Sequence, residues 1–367
     1  MYATNPVIDR RAVELAAASF VDPNAGICLA DTVATFDWTE PALGQPISLS
    51  VTLSYPVGEG AAVLAEQLSH ALAEFGVIHI TVGCKVFSSA VQQNLKPVQG
   101  IKNILVVASG KGGVGKSTTA ANLALALSRD GVAVGLLDAD IYGPSQARMM
   151  GLAGQRPVSL DGKTFAPLDA YGVKVMSIGL LVDDEQPMVW RGPMVSQALT
   201  QLLNDCRWGE LDYLIVDMPP GTGDIQLTLS QRVPISGAVI VTTPQEIALL
   251  DARKGLKMFE KVGVPVLGIV ENMSTHVCSQ CGHQEHIFGA GGGARMASQY
   301  GVDLLAELPL NIQIREQADN GRPTVEADPC GKLADAYFGL ARRTTSRLAR
   351  YAAQCIKPMP SITVEAT

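Results

Sequence analysis

Through the middle of the chain, apolar residues come in short unbroken runs that alternate with longer stretches of helical period. The runs are "NILVVAS" from 103, "VAVGLLDAD" from 132, "LDYLIVDMPP" from 211, "GAVIVTTP" from 237 and "VPVLGIVENMS" from 264. A strand with no polar face is buried on both sides, and between it and the next such strand "EIALLDARKGLKMFEKVG" (246–263) keeps one apolar stripe. This alternation predicts an α/β domain with a doubly wound, mostly parallel sheet, whose ligands sit at the carboxyl ends of the strands.

The first 92 residues follow a different pattern. "RRAVELAAASF" has helical period, "ISLSVTLSY" alternates as a strand, "AAVLAEQLSHALAEF" is an amphipathic helix and "VIHITVGCKVF" a second strand. They predict a small α+β domain over 1–92. A polar break at 93–103, with Pro97 and Gly100, reads as a linker. The main domain then runs over 104–345, with a helix end and tail over 346–367. The last helical pattern places Leu340, Thr344, Leu348, Tyr351 and Cys355 on one stripe, and Arg342, Arg343, Arg347 and Arg350 largely elsewhere. It is read as a terminal helix docked on the sheet with a solvated basic face, rather than a membrane-surface helix.

Composition narrows the function classes. A net charge of −7 argues against a chain that coats nucleic acid or anionic membrane through bulk charge. The charged opening segment lacks a secretory pattern, and no apolar run reaches the ~18 residues of a membrane span. Seven scattered cysteines, an odd number, suit reduced thiols in a cytoplasmic protein better than a disulfide framework.

"SGKGGVGKST" (109–118) matches G-x-x-x-x-G-K-S/T from Gly110 to Ser117, between an apolar strand and a helix. Its glycines, Gly110, Gly112, Gly113 and Gly115, let backbone N–H groups around Val114 converge on phosphate oxygens. Lys116 is expected on the β/γ phosphates of ATP and Ser117 on Mg²⁺, with Thr118 completing the nucleotide-binding stretch. Asp217, at the end of the strand in "LIVDMPPGTGD", is expected to face the Mg²⁺ or its water shell. Asp140 in "LLDADIYGPS" is the candidate that orients attacking water, with Asp138 close behind; a turn or cap role is the plain alternative for each.

Lys111 is a second lysine inside the loop. "GKGGVGKS" resembles the deviant phosphate loop of the MinD and nitrogenase-iron-protein class of ATPases, where that lysine helps bind phosphate, in many members across a dimer interface. Within that class, "SGKGGVGKST", "DADIYGPS", "VWRGPM", "DMPPGTGD", "VTTPQ", "VENMS" and "CSQCG" together resemble the Mrp/ApbC family of iron–sulfur cluster carrier ATPases, over about residues 100–330. The resemblance implies that Asn272 contacts adenine, a turn or cap role being equally open from sequence. It also implies a homodimer whose partners are apo iron–sulfur proteins and cluster-assembly scaffolds, with no nucleic acid or membrane partner. The N-terminal unit looks like the small domain of bacterial members, with one departure. Relatives often carry Cys-Pro after its central strand, whereas this chain has Tyr55-Pro56. A thiol role is therefore not carried over, and the unit is read as partner-binding.

"HVCSQCGHQEHIF" (276–288) places Cys278 and Cys281 in a C-x-x-C. Zinc and iron–sulfur clusters ordinarily take about four protein ligands, and one pair supplies two. Zinc completed by His283 and His286, a redox dithiol, and a [4Fe-4S] cluster shared with a second copy across a two-fold axis all remain open on the residues alone. The family resemblance favours the shared cluster, with the histidines as loop polar groups and zinc a possible occupant of the same thiols. It also implies slow hydrolysis coupled to cluster loading or release. Two other functions compete: a positioning ATPase like MinD or ParA, and a reductase like the nitrogenase iron protein. The glycine run "FGAGGGAR" (288–295) lacks the lysine and hydroxyl of a second phosphate loop and reads as a connection or close-packing turn.

Overall fold

The computed structural model describes residues 8–39, 47–76, 78–89, 92, 95–159, 161–181 and 192–355. The tail beyond Cys355 and residues 189–191 of "VWRGPM" lie outside the described residues.

In the N-terminal domain, helix α1 (Arg10–Ala18) starts at Asp9, whose side chain accepts the Ala12 amide. Strand β1 (Thr35–Thr39) pairs antiparallel with β2 (Ile47–Leu53), and β2 pairs parallel with β3 (Ile78–Cys84) through the crossover helix α2 (Gly60–Ala71). Leu49, Val51 and Leu53 alternate inward along β2 and pack against Leu64 and Leu68 of α2 in one apolar core. At the Tyr55-Pro56 position, Tyr55 is fully buried and its hydroxyl donates to Asp22 Oδ2 at 2.9 Å. Asp22 Oδ1 accepts the amides of Asn24 and Ala25, so this carboxylate organises the loop before β1. Tyr55→Phe strands one buried oxygen and is expected to destabilise the domain by about 1–3 kcal/mol. Faster amide exchange in β2 and β3, with the second domain unchanged, checks this.

The second domain is built on eight strands: β4 (Ile101–Ala108), β5 (Val134–Asp138), β6 (Leu168–Ala170), β7 (Val173–Ser177), β8 (Leu211–Asp217), β9 (Gly237–Thr242), β10 (Val266–Glu271) and β11 (Asp303–Glu307). Their order across the sheet is β11-β10-β9-β4-β8-β5-β7-β6. All neighbours are parallel except the edge strand β6, which runs antiparallel to β7. The first strand begins at Ile101, inside the stretch read as linker.

Alternate residues of β4 face opposite layers, which is why the strand has no polar side. Leu105 and Val107 pack with helix α3 (Lys116–Arg129). Ile104, Val106 and Ala108 join the core under α4 (Gly192–Asp205), α5 (Asp224–Arg232) and α6 (Glu246–Lys261). Beyond α6, helix α7 (Gly292–Tyr300) packs beside β10 and β11.

The last helix, α8 (Lys332–Cys355), runs unbroken through residue 345. Leu340, Thr344 and Leu348 are buried as their stripe predicts, and Ala349 belongs to the N-terminal core. Its basic face is only partly solvated, contrary to expectation. Arg347 and Arg350 each reach Asp303 at 2.7 Å, Arg347 also donates to the carbonyls of Ala25 and Gly26, Arg343 donates to Leu305 O, and Arg342 pairs with Asp130. The helix lies in the seam between the domains, so the arginines meet carboxylates and backbone carbonyls there as well as water. Among the described residues no helix is long and apolar enough to cross a membrane.

Candidate functional site: a phosphate loop beside a two-thiol hairpin

The loop after β4 is shaped by two close approaches. A Cβ on Gly110 would lie 2.1 Å from the Asp251 carbonyl in α6, and one on Gly115 would lie 2.1 Å from Asn272 Nδ2. Gly113 and Gly115 also hold left-handed φ values of 80° and 83°, which suit glycine. Ser109 Oγ donates to Lys111 O at 2.9 Å, fastening the turn. Gly112 and Gly113 are exposed, Val114 is buried, and Ser117 and Thr118 lie half-buried in the first turn of α3. The first amides of α3 have no partner within the helix, so helix and loop together form an anion cradle.

Lys116 is buried and pairs with the fully buried Asp217. Its Nζ also donates to Ser117 Oγ at 3.2 Å. Gln146, which the sequence reading passed over, is fully buried and ties the site together: Nε2 donates to Asp217 Oδ2 at 2.8 Å and to Ser117 O at 2.9 Å. Its Oε1 is buried without a hydrogen-bond partner. The Ser117 hydroxyl, the Asp217 carboxylate and this orphaned oxygen are a hard-oxygen set of the kind Mg²⁺ takes, so the residues present fit that ion.

The two aspartates after β5 differ. Asp138 is enclosed: Oδ1 accepts the Asp140 amide, and Oδ2 accepts the amides of Ser145 and Gln146 and the Ser177 hydroxyl. Burial pushes its carboxyl up to about 7, reinforced by the charge of Asp217, while the backbone amides and Lys116 pull the other way. Asp138 therefore shapes the loop. Asp140 is half-buried and accepts the Gly143 amide at 3.3 Å. Burial raises its carboxyl, Lys116 lowers it and Asp217 raises it, so it shares the field of the loop lysine and the strand-end aspartate. Lys111 is exposed and forms no ion pair among the described residues.

Asn272 follows β10 and is nearly buried. Its Nδ2 donates to Val114 O at 2.9 Å and its Oδ1 accepts the Met273 amide. It thus braces the phosphate loop, a contact its position after a strand could not reveal. The "FGAGGGAR" run ends in close packing: a Cβ on Gly292 would meet Leu249 and Pro244, and one on Gly293 would meet Glu271.

A few residues beyond Asn272, His276–Val277 pairs antiparallel with Gln284–Glu285, and the C-x-x-C forms the tip of this hairpin. Cys278 N donates to His283 O and Gly282 N to Cys278 O, both at 2.9 Å, with Gly282 left-handed at 72°. The Cys281 amide, then the Gln280 amide, hold the Cys278 thiol below its ordinary range by donating toward sulfur. Cys281 is exposed and Cys278 half-exposed. By contrast, burial pushes Cys206 up to about 12. His276 and His286 direct Nδ1 to the carbonyls of Leu310 and Ser274. Among the described residues no group of three or more His, Cys, Asp or Glu is placed to hold a metal ion. One hairpin thus offers a pair of thiols.

The sheet order and the lysine-bearing loop define a P-loop NTPase of MinD-like architecture. A nucleotide-binding protein from Archaeoglobus fulgidus, solved in complex with ADP, superposes with a TM-score of 0.55 at 39% identity, covering 61% of this chain and 88% of that one. The family profile described as ParA, NUBPL iron-transfer P-loop NTPase, matches residues 100–345, and the chain belongs to that family. It is 62% identical over 263 residues to an iron-sulfur cluster carrier protein of Pseudomonas fragi, spanning 71% of this chain and 92% of the relative. It is 51% identical over 308 residues to an iron-sulfur cluster carrier protein of Haemophilus influenzae, spanning 83% of each chain.

Proposed function

We propose that this chain is an ATP-hydrolysing iron–sulfur cluster carrier, cytoplasmic and homodimeric, that takes a labile [4Fe-4S] cluster from a scaffold and passes it to apo-proteins. The observation that carries this reading is the hairpin presenting two accessible thiols and little else. Two such tips across a two-fold axis supply the four thiolates a cluster takes. The names of its relatives point the same way. The cluster is cargo, and exposed sulfurs at a hairpin tip suit a ligand that must leave.

In this reading the cradle and Lys116 hold the ATP phosphates, and Lys111 adds charge from the loop or from the partner copy. Ser117 and Asp217 hold Mg²⁺, which when bound neutralises phosphate charge. Occupation of the cradle draws Lys116 away from Asp217, leaving that carboxylate for the ion. Asp140 orients the attacking water, its half-buried carboxyl being freer than that of Asp138. Asn272 keeps a second amide hydrogen for an adenine edge while bracing Val114. The N-terminal domain receives partner proteins.

Transfer tests this proposal. Loaded protein mixed with an apo-enzyme that needs a four-iron cluster should activate it, and ATP should change the rate for wild type but not for Lys116→Ala. A loaded protein that leaves the acceptor inactive at excess, while reducing it when supplied with electrons, would make the chain a reductase instead.

A further inference from the structure

Six residues, Asn272 to Val277, run from a contact with the phosphate loop to the C-x-x-C at the hairpin tip, and almost every one is fastened to something. Asn272 grips the loop at Val114 O, and its amide sits where a Cβ on Gly115 would be. Met273 is next, with a left-handed φ of 57°, and its side-chain end lies 4.0 Å from that same Cβ position on Gly115. A non-glycine residue in this region is strained, and it persists where its surroundings hold it. Ser274 then donates twice to Leu308 O, from N at 3.0 Å and from Oγ at 3.1 Å. Leu310 N donates to Thr275 O, and His276 bridges to Leu310. His286, on the return arm, closes the base of the hairpin through Nδ1 to Ser274 O at 2.7 Å.

We propose that Asn272–Met273 is the joint through which the state of the phosphate loop sets the presentation of Cys278 and Cys281, with His286 as the positioning residue at its far end. Phosphate entering the cradle reorients the amides around Val114 and Gly115. The Asn272 amide bears on Val114 and Gly115 and the Met273 side-chain end lies beside Gly115, so the left-handed conformation is favoured in one loop state more than in the other. A change of φ at Met273 redirects Ser274, and the Ser274 carbonyl carries His286 and the hairpin arm with it. Coupling of this kind needs an element with two conformations that both sites bias, and a strained backbone joint between two fastened segments meets that requirement. The idea rests on the carrier reading only in treating the two thiols as the cargo site.

The test uses free thiols and no iron, so its outcome is independent of whether a cluster binds. Iron-free protein is alkylated with iodoacetamide, with and without the non-hydrolysable analogue AMP-PNP and Mg²⁺, and labelling at each cysteine is followed by mass spectrometry. Readings at two protein concentrations about ten-fold apart separate protection by a second copy from a change within one chain. Binding of a fluorescent nucleotide is measured in parallel. Wild type should show a concentration-independent change of about five-fold or more at Cys278 and Cys281 on nucleotide binding, with Cys330, exposed between the domains, unaffected. Met273→Gly, which adopts either conformation freely, should bring that ratio close to one while still binding nucleotide. His286→Ala should do the same, and His286→Asn, which keeps a donor near the Nδ1 position, should restore it. A wild-type ratio of one with nucleotide bound, or an undiminished ratio in both Met273→Gly and His286→Ala, would overturn the proposal.

Discussion

Lys116→Ala is expected to abolish measurable ATP hydrolysis and, separately, to destabilise the protein before any nucleotide is added. The first effect follows from removing the cation proposed to hold the ATP phosphates, a loss of at least about 10²-fold for groups that stabilise developing charge. The second follows from burial. Asp217 is 0% exposed and Lys116 6%, so the variant leaves an uncompensated carboxylate beside the equally buried Asp138. Breaking such a pair by deleting one partner costs about 3–5 kcal/mol.

The pH dependence has a definite sign. Burial and the neighbouring carboxylate already raise Asp138 to about 7, and loss of Lys116, which pulls it down, raises that carboxyl further. The folded variant then binds more protons than the unfolded chain, so its stability falls as pH rises above the ordinary carboxylate range. Denaturant melts at pH 5.5 and 8 should show the larger deficit at pH 8. Lys111→Ala, from an exposed position, should weaken hydrolysis and leave those melts unchanged. Equal stability of Lys116→Ala and wild type at pH 8 would mean that Lys116 does not compensate the buried Asp217 carboxylate.

Much of this was legible along the chain because it is local. Five adjacent parallel strands announce themselves by lacking a polar face, and the phosphate loop by glycines at fixed offsets before a lysine, whereas the outer parallel strands β7, interrupted by Lys174, and β11, bounded by Asp303 and Glu307, escape the pattern. Strand β6, three residues long, carries too short a pattern to be read. The arginines of α8 have the period of a solvated face, and nothing in that period distinguishes water from the rim of a second domain. Gln146 and Met273 are illegible for a different reason. Each acts through contacts with residues distant in sequence, Gln146 with Ser117 and Asp217 and Met273 with Gly115, and such approaches exist only once the sheet has assembled. The C-x-x-C was visible as a pair of ligands. That its sulfurs stand at a hairpin tip, with amides aimed at Cys278, required the fold.

Each hairpin contributes two thiols, Cys281 fully in reach of solvent and Cys278 partly so. In the proposed carrier the remaining ligands of a four-iron cluster come from the same pair in a second copy. Replacing both cysteines by alanine removes every protein ligand while touching no core residue, so the variant should remain folded and keep its nucleotide binding. A single Cys281→Ala chain would still offer two thiolates per dimer and should hold iron weakly. Zinc on the same thiols would compete with loading and be displaced by a chelator beforehand.

The most direct measurement is iron and acid-labile sulfide counted after anaerobic reconstitution of size-fractionated dimer, for wild type and for Cys278→Ala/Cys281→Ala. About four iron atoms are expected for every two wild-type chains and almost none for the double variant. Equal iron in the double variant, or a full complement of iron on wild-type monomer, would contradict the shared site.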